Sequence, residues 1–405
     1  MARFSLDINR PWQRAAAAAG LVGSDGATRP TIFAEMSALA AEHGAINLGQ
    51  GFPDDDGPAE VLEAAVAAIR AGVNQYPPGR GFAELRHAIA EHQQRFYGLD
   101  LNPDTQVLVT AGATEALAAS LLAFAGPGDE VITFEPYYDA YAAVIGLSGA
   151  SQVTIALQGS DFQPDPVDID AAFGDRTRVV VLNTPHNPTG STLAPEHVER
   201  VVALAAKHDA VIVSDEVYEH LVYDGRTHSP VASTTAAAER TLTVSSAAKT
   251  FSVTGWKIGW VTGPAALIDA VIAVKQWLTY VNGAPFQGAV ARGLRMPDLF
   301  FDELRATLQR RRDLLGAGLV DAGFSISPTA GSYFIVAEPP TALGLGDASA
   351  AARALAADPG VVSIPLSAFG REGGPVSQTA LRFAFCKPDD AIVEAVRRLQ
   401  HLSAS

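Results

Sequence analysis

The chain has 405 residues, 48% of them apolar and 18% charged, with 36 glycines and 25 prolines, a composition that suits a globular protein of two domains with a sizeable core. Its formal charge of −15 argues against a general nucleic-acid or anionic-membrane surface, because phosphate groups would be repelled. Its one cysteine, Cys386, excludes an internal disulfide framework and a cysteine-based metal cluster, so we predict a cytoplasmic protein without a metal site.

Residues 1–27 are predicted to form an extra N-terminal arm that is either helical or disordered. The alanine run from Ala15 to Ala19 could be mistaken for the core of a signal peptide, but Asp7 precedes it and bulky apolar residues are scarce. No stretch approaches about 20 uninterrupted apolar residues. We therefore predict neither a leader peptide nor a membrane span.

From about residue 105 onward, seven short β-branched runs alternate with Ala/Leu-rich helical patterns. Continuous apolar runs such as "RVVVLN" and "AVIVSDE" indicate strands of a parallel sheet that helices cover on both faces. The pattern predicts a three-layer α/β domain with a seven-stranded, mostly parallel sheet and a ligand site at the carboxyl ends of its strands. The predicted strands are Val107 to Thr110, Val131 to Phe134, Val153 to Leu157, Val179 to Asn183, Ala210 to Ser214, Thr241 to Ser245 and Ile258 to Thr262.

The pattern changes after Met296, where a long helical stretch leads to the extended pieces "GSYFIVA" and "ALRFAFCK" and the closing helix "DDAIVEAVRRLQ". This composition predicts a smaller α+β domain. After the arm, we assign residues 28–58 to the N-terminal part of that domain, residues 59–296 to the large domain and residues 297–405 to the C-terminal part of the smaller domain.

The segment "SSAAKTFSVTGWKIGW" (residues 245–260) follows a predicted strand and indicates an anion or aldehyde site. The amine of Lys249 could form a Schiff base with an aldehyde cofactor, while Ser246 and Lys257 could bind its phosphate. Solvated surface lysines are an equally ordinary use of this segment. A further alternative is an S-x-x-K acyl hydrolase built on Ser246 and Lys249, although its companion S-D-N and K-T-G patterns are absent.

Two polar segments follow neighbouring strands, "NTPHNPTG" with Asn187 and "SDEVY" with Asp215 and Tyr218. Turn formation and helix capping are the plain structural uses of these residues. Together with Lys249 they favour a pyridine cofactor, because a buried carboxylate such as Asp215 keeps the ring nitrogen protonated. Asn187 and Tyr218 could then hydrogen-bond the ring hydroxyl oxygen.

The segment "TAGATEAL" runs from a strand into a helix and offers a seat for a phosphate at the helix N-terminus, formed by Gly112, Ala113 and Thr114. The next strand is followed by "FEPYYDAY", in which Tyr138 could stack on a flat cofactor or could simply pack in the core.

Nine motifs in this order resemble the class I/II aminotransferases, which are fold type I enzymes dependent on pyridoxal 5'-phosphate. The resemblance runs from about Thr28 to Leu402 and includes "NLGQGFPD", "NQYPPGRG", "AGATEAL", "EPYYDAY", "PHNPTG", "SDEVYEHL", "SSAAKTFSVTGWKIGW", "GSYF" and "LRFAFCK". It implies that Lys249 binds the cofactor and shuttles the substrate proton, that Asp215 pairs with the pyridine nitrogen, and that Tyr218 contributes to catalysis. The remaining cofactor-binding residues that it implies are Gly112, Ala113, Thr114, Tyr138, Asn187, Ser246 and Lys257, the last a lysine where many relatives have arginine.

The resemblance also implies a substrate site and a partner. Arg382 and Asn187 resemble the family's ligands of the substrate α-carboxylate, and Gly51 resembles the backbone contact on its other side. Tyr76 resembles the tyrosine that reaches the cofactor phosphate from a second subunit. The resemblance therefore implies a homodimer with shared active sites.

Transamination between an amino acid and a 2-oxo acid, with 2-oxoglutarate as acceptor, is the ping-pong reaction implied by the family. The wording of "IFAEMSALA", "NQYPPG" and "APFQ" resembles actinobacterial N-succinyldiaminopimelate aminotransferases. Kynurenine-, methionine- and glutamine-type aminotransferases and cysteine-conjugate β-lyases share nearly all of these motifs. A non-catalytic regulator with the same domain is a more distant alternative.

Overall fold

The computed structural model describes residues 10–23 and 26–403. Its helices are α1 (Pro11–Ala18), α2 (Ile32–His43), α3 (Ala59–Arg70), α4 (Ala83–Tyr97), α5 (Gly112–Phe124), α6 (Asp139–Ser148), α7 (Pro166–Ala172), α8 (Pro195–Lys207), α9 (Thr235–Ala238), α10 (Ala247–Thr250), α11 (Ala265–Lys275), α12 (Ala284–Leu294), α13 (Asp298–Asp321), α14 (Ala348–Ala357) and α15 (Asp389–Gln400). Its strands are β1 (Ile46–Asn47), β2 (Val107–Thr110), β3 (Glu130–Glu135), β4 (Ser151–Gln158), β5 (Gln163–Pro164), β6 (Thr177–Asn183), β7 (Val211–Asp215), β8 (Thr241–Ser246), β9 (Gly259–Thr262), β10 (Ser325–Ile326), β11 (Phe334–Glu338), β12 (Val361–Val362), β13 (Ile364–Pro365) and β14 (Leu381–Ala384).

The main sheet has the strand order β2-β9-β8-β7-β6-β3-β4-β5. The central strands β8, β7, β6, β3 and β4 pair in parallel, whereas β9 is antiparallel to both of its neighbours. All seven predicted strands are present, which confirms the mostly parallel α/β sheet. The structure adds β5, a two-residue antiparallel edge strand that is too short to give a periodic signal in the sequence.

Strand β6 shows why this sheet needs helices on both faces. Its residues Val179 and Val181 belong to one buried cluster with residues of α5, α6 and α11, whereas Val180 and Leu182 belong to another with residues of α7 and α8. Successive side chains of a strand point to opposite faces, so a continuous apolar run must be covered on both. The result is the three-layer arrangement.

A second sheet lies in the C-terminal part of the chain, with the antiparallel strand order β10-β11-β14-β13. Helix α2 packs against α14, and β1 pairs in parallel with β12. On this packing, we propose that residues 28–58 and 297–405 together form the smaller domain.

Helix α1 packs against α6 on the large sheet unit. Nε of Arg14 donates to the carbonyl oxygen of Gly146 at 3.1 Å, and the helices approach so closely there that a Cβ on Gly146 would lie 2.7 Å from the Arg14 carbonyl oxygen. Residues 11–18 of the predicted arm are therefore helical and packed, while residues 1–9 and 24–25 lie outside the described residues. Among the described residues, no helix has the length and apolar character needed to span a membrane.

Candidate active site

A cavity of about 300 Å³ lies at the carboxyl ends of β6, β7 and β8. The parallel register places Asn183, the last residue of β6, opposite Asp215, the last residue of β7, so loops leaving both strands meet there. The structure brings together every site residue predicted from the sequence except Tyr76. The lining includes Gly51, Gly112, Ala113, Thr114, Tyr138, Asn187, Asp215, Tyr218, Ser246, Lys249, Lys257 and Arg382.

Lys249 lies in the short helix α10 that directly follows β8. Its Nζ donates to the carbonyl oxygen of Gly51 at 3.2 Å and lies over the rings of Tyr218 and Tyr333. Burial lowers the pKa of Lys249 to about 8 because a charged amine is poorly solvated in this apolar setting. At pH 7 about a tenth of this amine is therefore uncharged and nucleophilic, far more than for an ordinary lysine.

Asp215 is buried at the end of β7, where the hydroxyl of Tyr141 donates to its Oδ2 at 2.6 Å. Burial raises the pKa of Asp215 to about 6, against the opposing effects of the Tyr141 hydrogen bond and the nearby Lys249 amine. The group is thus a carboxylate at pH 7 that would gain from pairing with a cationic partner.

Asn187 and Arg382 form one polar unit on the wall of the cavity. Nη1 of Arg382 donates to Oδ1 of Asn187 at 2.9 Å, and Nη2 donates to the carbonyl oxygen of Gly49 at 2.8 Å. The guanidinium carbon lies over the rings of Phe334 and Phe369, 4.1 and 4.6 Å from their centroids. Burial lowers the pKa of Arg382 to about 10, and its Nε has no hydrogen-bond partner among the described residues.

The first turn of α5 forms a concave cationic corner of the cavity. Helix α5 begins at Gly112, whose φ of +74° is in the left-handed region, and a Cβ there would lie 3.2 Å from Nζ of Lys257. The first amides of a helix have no intrahelical acceptor, and the helix dipole favours a negative charge near them. Ser246 lies beside this corner because both Ser246 and Thr110 pair with Gly259 of β9.

Two tyrosines of the cavity lining, Tyr138 and Tyr218, each pack against a second tyrosine outside the lining. Tyr138 caps α6 and lies edge-to-face with Tyr141, with ring centroids 5.7 Å apart. Tyr218 packs edge-to-face on Tyr333, whose hydroxyl donates to the Gly51 carbonyl oxygen at 2.5 Å. A Cβ on Gly51 would lie 2.8 Å from the ring of Phe334, so this close approach of the backbone requires glycine.

Tyr76 does not line the cavity of its own chain. Its side chain is 81% exposed and packs edge-to-face against Tyr280, which is itself 52% exposed. Three other cations, Arg29, Arg80 and Lys275, also lie outside the lining. Arg29 is exposed, Arg80 pairs with Asp269, and Nζ of Lys275 donates to the Tyr280 carbonyl oxygen at 2.6 Å.

Tyr141 and Asn183 are site residues that the sequence analysis missed. Tyr141 follows Tyr138 by three residues, a spacing that places both on one face of a helix, and this signal was available in "EPYYDAY". The side chain of Asn183 bonds main-chain atoms of its neighbours: Nδ2 donates to the Asp215 carbonyl oxygen at 2.9 Å, and Oδ1 accepts from the backbone amide of Asn187 at 2.8 Å. Such contacts leave no pattern in the sequence.

A buried polar cluster beyond the cavity bears on the prediction that the chain has no metal site. One ligand atom each from His92, Glu219 and His220 lie within 4.8 Å of one another. The two histidines already share a hydrogen bond of 2.8 Å between their Nε2 atoms, and Glu219 accepts from Ser245 at 2.5 Å. These contacts account for the cluster without an ion, and the absence of a metal stays a prediction.

Comparison with known proteins places this site in a family. The family model "Aminotransferase class I and II" matches residues 43–399. A Mycobacterium tuberculosis protein named "Probable N-succinyldiaminopimelate aminotransferase DapC" is 50% identical over 382 residues, which cover 92% of this chain and 96% of the relative. A solved structure of N-succinyldiaminopimelate aminotransferase from M. tuberculosis has a TM-score of 0.89 at 49% identity and covers 92% of this chain and 97% of its own.

The methionine aminotransferase of Escherichia coli K12 is 38% identical over 372 residues, covering 92% of this chain and 96% of that enzyme. The family assignment leaves no role for the acyl-hydrolase interpretation of Ser246 and Lys249, and these relatives are named as enzymes rather than regulators. The α/β fold, the match over most of the chain and the identity to these enzymes agree: the chain is an enzyme of the class I and II aminotransferase family.

Proposed function

We propose that this enzyme uses pyridoxal 5'-phosphate to transfer an amino group from an N-succinylated diaminopimelate to 2-oxoglutarate, in the synthesis of diaminopimelate and lysine. The observation that carries the proposal is the cavity in which Lys249, Asp215, Asn187 and Arg382 meet. Its substrate assignment is supported by the 50% identity to the M. tuberculosis relative of that name.

The lining residues fit this cofactor at both of its ends. The amides at the start of α5, with Ser246 and Lys257, would hold the phosphate. Asp215 would pair with the pyridine nitrogen at the opposite end. When bound, pyridoxal phosphate supplies an aldehyde that links to amines and a ring that accepts the electron pair released from the substrate α-carbon.

Lys249 carries the proton transfer. Its lowered pKa leaves an uncharged amine available as a base, and its contacts with Gly51, Tyr218 and Tyr333 hold Nζ on one side of the cavity. An amine held in this way can take a proton from the substrate α-carbon and return it to a neighbouring carbon. Lys249 is thus both the attachment point and the general acid/base.

Asn187 and Tyr218 would adjust the cofactor ring from its hydroxyl side. Because Oδ1 of Asn187 accepts from Arg382, the Nδ2 group of the same amide is left to donate into the cavity. Burial holds the pKa of Tyr218 far above its ordinary value, so its hydroxyl keeps its proton and also acts as a donor.

Replacing Tyr141 with phenylalanine should lower kcat at pH 7 by roughly 10- to 100-fold, because a hydrogen bond to a charged group contributes about 1.5 to 3 kcal/mol. Without the donated bond, the pKa of Asp215 rises above about 6. The acid limb of the pH profile of kcat should therefore move to higher pH. Tyr137→Phe is the matched control, since the hydroxyl of Tyr137 hydrogen-bonds Gln152 rather than Asp215, and equal profiles for the two variants would contradict this role.

Arg382 would bind the substrate α-carboxylate. Its two Nη groups already donate to neutral oxygens, and its buried Nε is a donor without a protein partner among the described residues. Its contacts with the rings of Phe334 and Phe369 help to keep the planar guanidinium in place. A carboxylate entering the cavity would meet an ordered, desolvated cation.

Arg382→Ala should raise the KM for the amino donor by about 30- to 5,000-fold, equivalent to about 2 to 5 kcal/mol of lost binding free energy. Arg382→Lys keeps the charge but loses the fork, so we expect an intermediate KM. Arg353→Ala removes an exposed arginine paired with Glu35 and serves as the control. Steady-state kinetics decide the matter, and an unchanged KM in Arg382→Ala would exclude this role.

The succinylated substrate carries carboxylates beyond the one that Arg382 binds. The cations that line the cavity are already assigned, Lys249 to the cofactor aldehyde, Lys257 to the phosphate and Arg382 to the α-carboxylate. We therefore infer that the distal part of the substrate extends beyond this cavity. Kynurenine-, methionine- and glutamine-type donors, and a cysteine-conjugate β-lyase reaction, are the alternatives that share the same residues.

Donor assays distinguish these substrates. Purified enzyme with 2-oxoglutarate is offered N-succinyl-L,L-diaminopimelate, kynurenine, methionine or glutamine, and glutamate formation is measured. We expect the succinylated donor to have a kcat/KM at least about tenfold above the others, a margin that one or two additional hydrogen bonds supply. A higher kcat/KM for another donor would overturn the substrate assignment, and pyruvate formed from a cysteine conjugate would indicate the lyase.

The proposal includes a cytoplasmic homodimer in which Tyr76 reaches the phosphate of the partner's site. Tyr76, Trp277, Leu278 and Tyr280 form an exposed apolar patch on the described chain, and a patch of this kind favours a protein–protein contact. A monomer in sedimentation equilibrium, or unchanged cofactor affinity in Tyr76→Ala, would contradict this part of the proposal.

A further inference from the structure

Asn183 is the buried last residue of β6, only 5% exposed, and its side chain bonds the backbones of two site residues, Asp215 and Asn187. Its Nδ2 donates to the carbonyl oxygen of Asp215 at 2.9 Å and to that of Pro185 at 3.3 Å. Its Oδ1 accepts from the backbone amide of Asn187 at 2.8 Å. One side chain therefore joins the end of β7 to the loop that follows β6.

The contacts of Asn183 continue across the cavity. Asn187, held by its amide, accepts from Nη1 of Arg382 at 2.9 Å. Asp215, whose carbonyl oxygen is bound by Asn183, accepts a hydrogen bond at its Oδ2 from the Tyr141 hydroxyl at 2.6 Å. A continuous series of hydrogen bonds, Asp215–Asn183–Asn187–Arg382, thus connects the carboxylate at one end of the site with the guanidinium at the other.

Sheet pairing alone does not account for these bonds. Asn183 and Asp215 are register partners at the edge where the ladder ends, and the Asp215 carbonyl oxygen accepts from the backbone amide of Thr184 at 3.2 Å, so the Asn183 side chain adds a second bond to that oxygen. A side-chain amide, with two donor hydrogens and an acceptor oxygen, can bind two carbonyls and one amide at once. A shorter or apolar side chain cannot.

We propose that Asn183 is a positioning residue that sets the relative placement of Asp215 and the Asn187–Arg382 pair, and so couples the cofactor ring to the substrate carboxylate. This inference rests on the proposed function. Asn183 transfers no proton and acts only through the groups that it holds. Its loss should therefore weaken cofactor binding and substrate binding together.

The test compares Asn183→Leu, which keeps the number and branching of the side-chain heavy atoms but makes none of the three hydrogen bonds, with Thr189→Val. Thr189 lies in the same loop, is fully buried and bonds His186 and Ser191, without touching Asp215, Asn187 or Arg382. Both variants lose buried hydrogen bonds, so both should have a lower melting temperature. Asn183→Ala is the second variant if Asn183→Leu does not fold.

Three measurements separate positioning from mere stability. The Kd of the cofactor-free protein for pyridoxal phosphate, measured by fluorescence quenching, should rise roughly 10- to 100-fold in Asn183→Leu and stay near the unaltered value in Thr189→Val. The KM for the amino donor should rise and kcat should fall in Asn183→Leu alone. In the double variant Asn183→Leu/Arg382→Ala, the free-energy change derived from KM should be smaller than the sum for the two single variants, because both substitutions disturb the Asn187–Arg382 contact.

Two failures are distinguishable. If the unaltered enzyme neither binds pyridoxal phosphate nor transaminates, the proposed function fails. If the unaltered enzyme is active but Asn183→Leu behaves like Thr189→Val, or if its effect on KM is fully additive with that of Arg382→Ala, the inference about Asn183 is overturned and the proposed function stands.

Discussion

Replacing Lys249 with alanine is expected to abolish turnover and the visible absorption of the lysine-bound cofactor. Among the described residues that line the cavity, no second amine is free for this role, because Lys257, the other lysine of the lining, lies against the first turn of α5. Without Lys249, the site loses both its covalent attachment point and the base that moves the substrate proton. The spectrum and glutamate formation are measured on the same preparation.

Lys207→Ala is the control for this result, since Lys207 is exposed at the end of α8. It should retain the spectrum and the activity of the unaltered enzyme. Full turnover by Lys249→Ala would refute the central assignment. Retention of bound, unlinked cofactor in that variant would agree with it, because the phosphate seat and Asp215 are unchanged.

The rate at which cofactor-free protein captures pyridoxal phosphate should depend on pH through the same amine. The attacking species is the uncharged form, and burial lowers the pKa of Lys249 to about 8. Below pH 8 the uncharged fraction falls about tenfold per pH unit, so the rate should rise with pH and level off above about 8. A stopped-flow profile that continued to rise toward pH 10.5 would show that the amine is not desolvated.

Asp215→Asn should lower kcat by about 100- to 10,000-fold, because removing one partner of a buried charge pair costs about 3 to 5 kcal/mol. An amide can still accept the Tyr141 hydroxyl but carries no charge, so it cannot favour a protonated pyridine nitrogen. Lys249 remains, and we expect the cofactor to attach with reduced affinity. Single-turnover mixing with the amino donor measures directly the rate at which the amino group passes to the cofactor.

Asp209→Asn makes the same substitution two residues before β7, where the side chain is fully exposed. It should leave kcat unchanged. Normal single-turnover rates in Asp215→Asn would separate this carboxylate from the chemistry and assign it to stability alone.

The large sheet was predictable because its strands are buried on both faces and therefore appear as continuous β-branched runs. Strand β6 is such a run, and its residues alternate between two buried clusters. Strands β1, β5, β10, β12 and β13 have only two residues each, which is too short for any periodic pattern. Their pairing depends on neighbours that are distant in sequence.

Much of the candidate site was predictable for a related reason, since polar residues directly after parallel strands meet at one edge of the sheet. Lys249, Asp215 and Asn187 all follow this rule. Tyr141 does not, because it reaches Asp215 from the face of a helix, and the contacts of Asn183 are with main-chain atoms that every residue has. The aromatic contacts of Arg382 could not be predicted either, because Phe334 and Phe369 lie in segments of the sequence separate from Arg382.

The setting of Arg382 has a thermodynamic consequence. The Arg382 guanidinium is desolvated, and its Nε donor has no partner among the described residues, so a small carboxylate that reaches it would supply the missing acceptor and an opposite charge. A ligand that binds only the native state raises the melting temperature by an amount that grows with the logarithm of the ratio of ligand concentration to Kd. A panel of dicarboxylates and oxo acids in a simple melting assay would therefore rank candidate ligands before any turnover is measured.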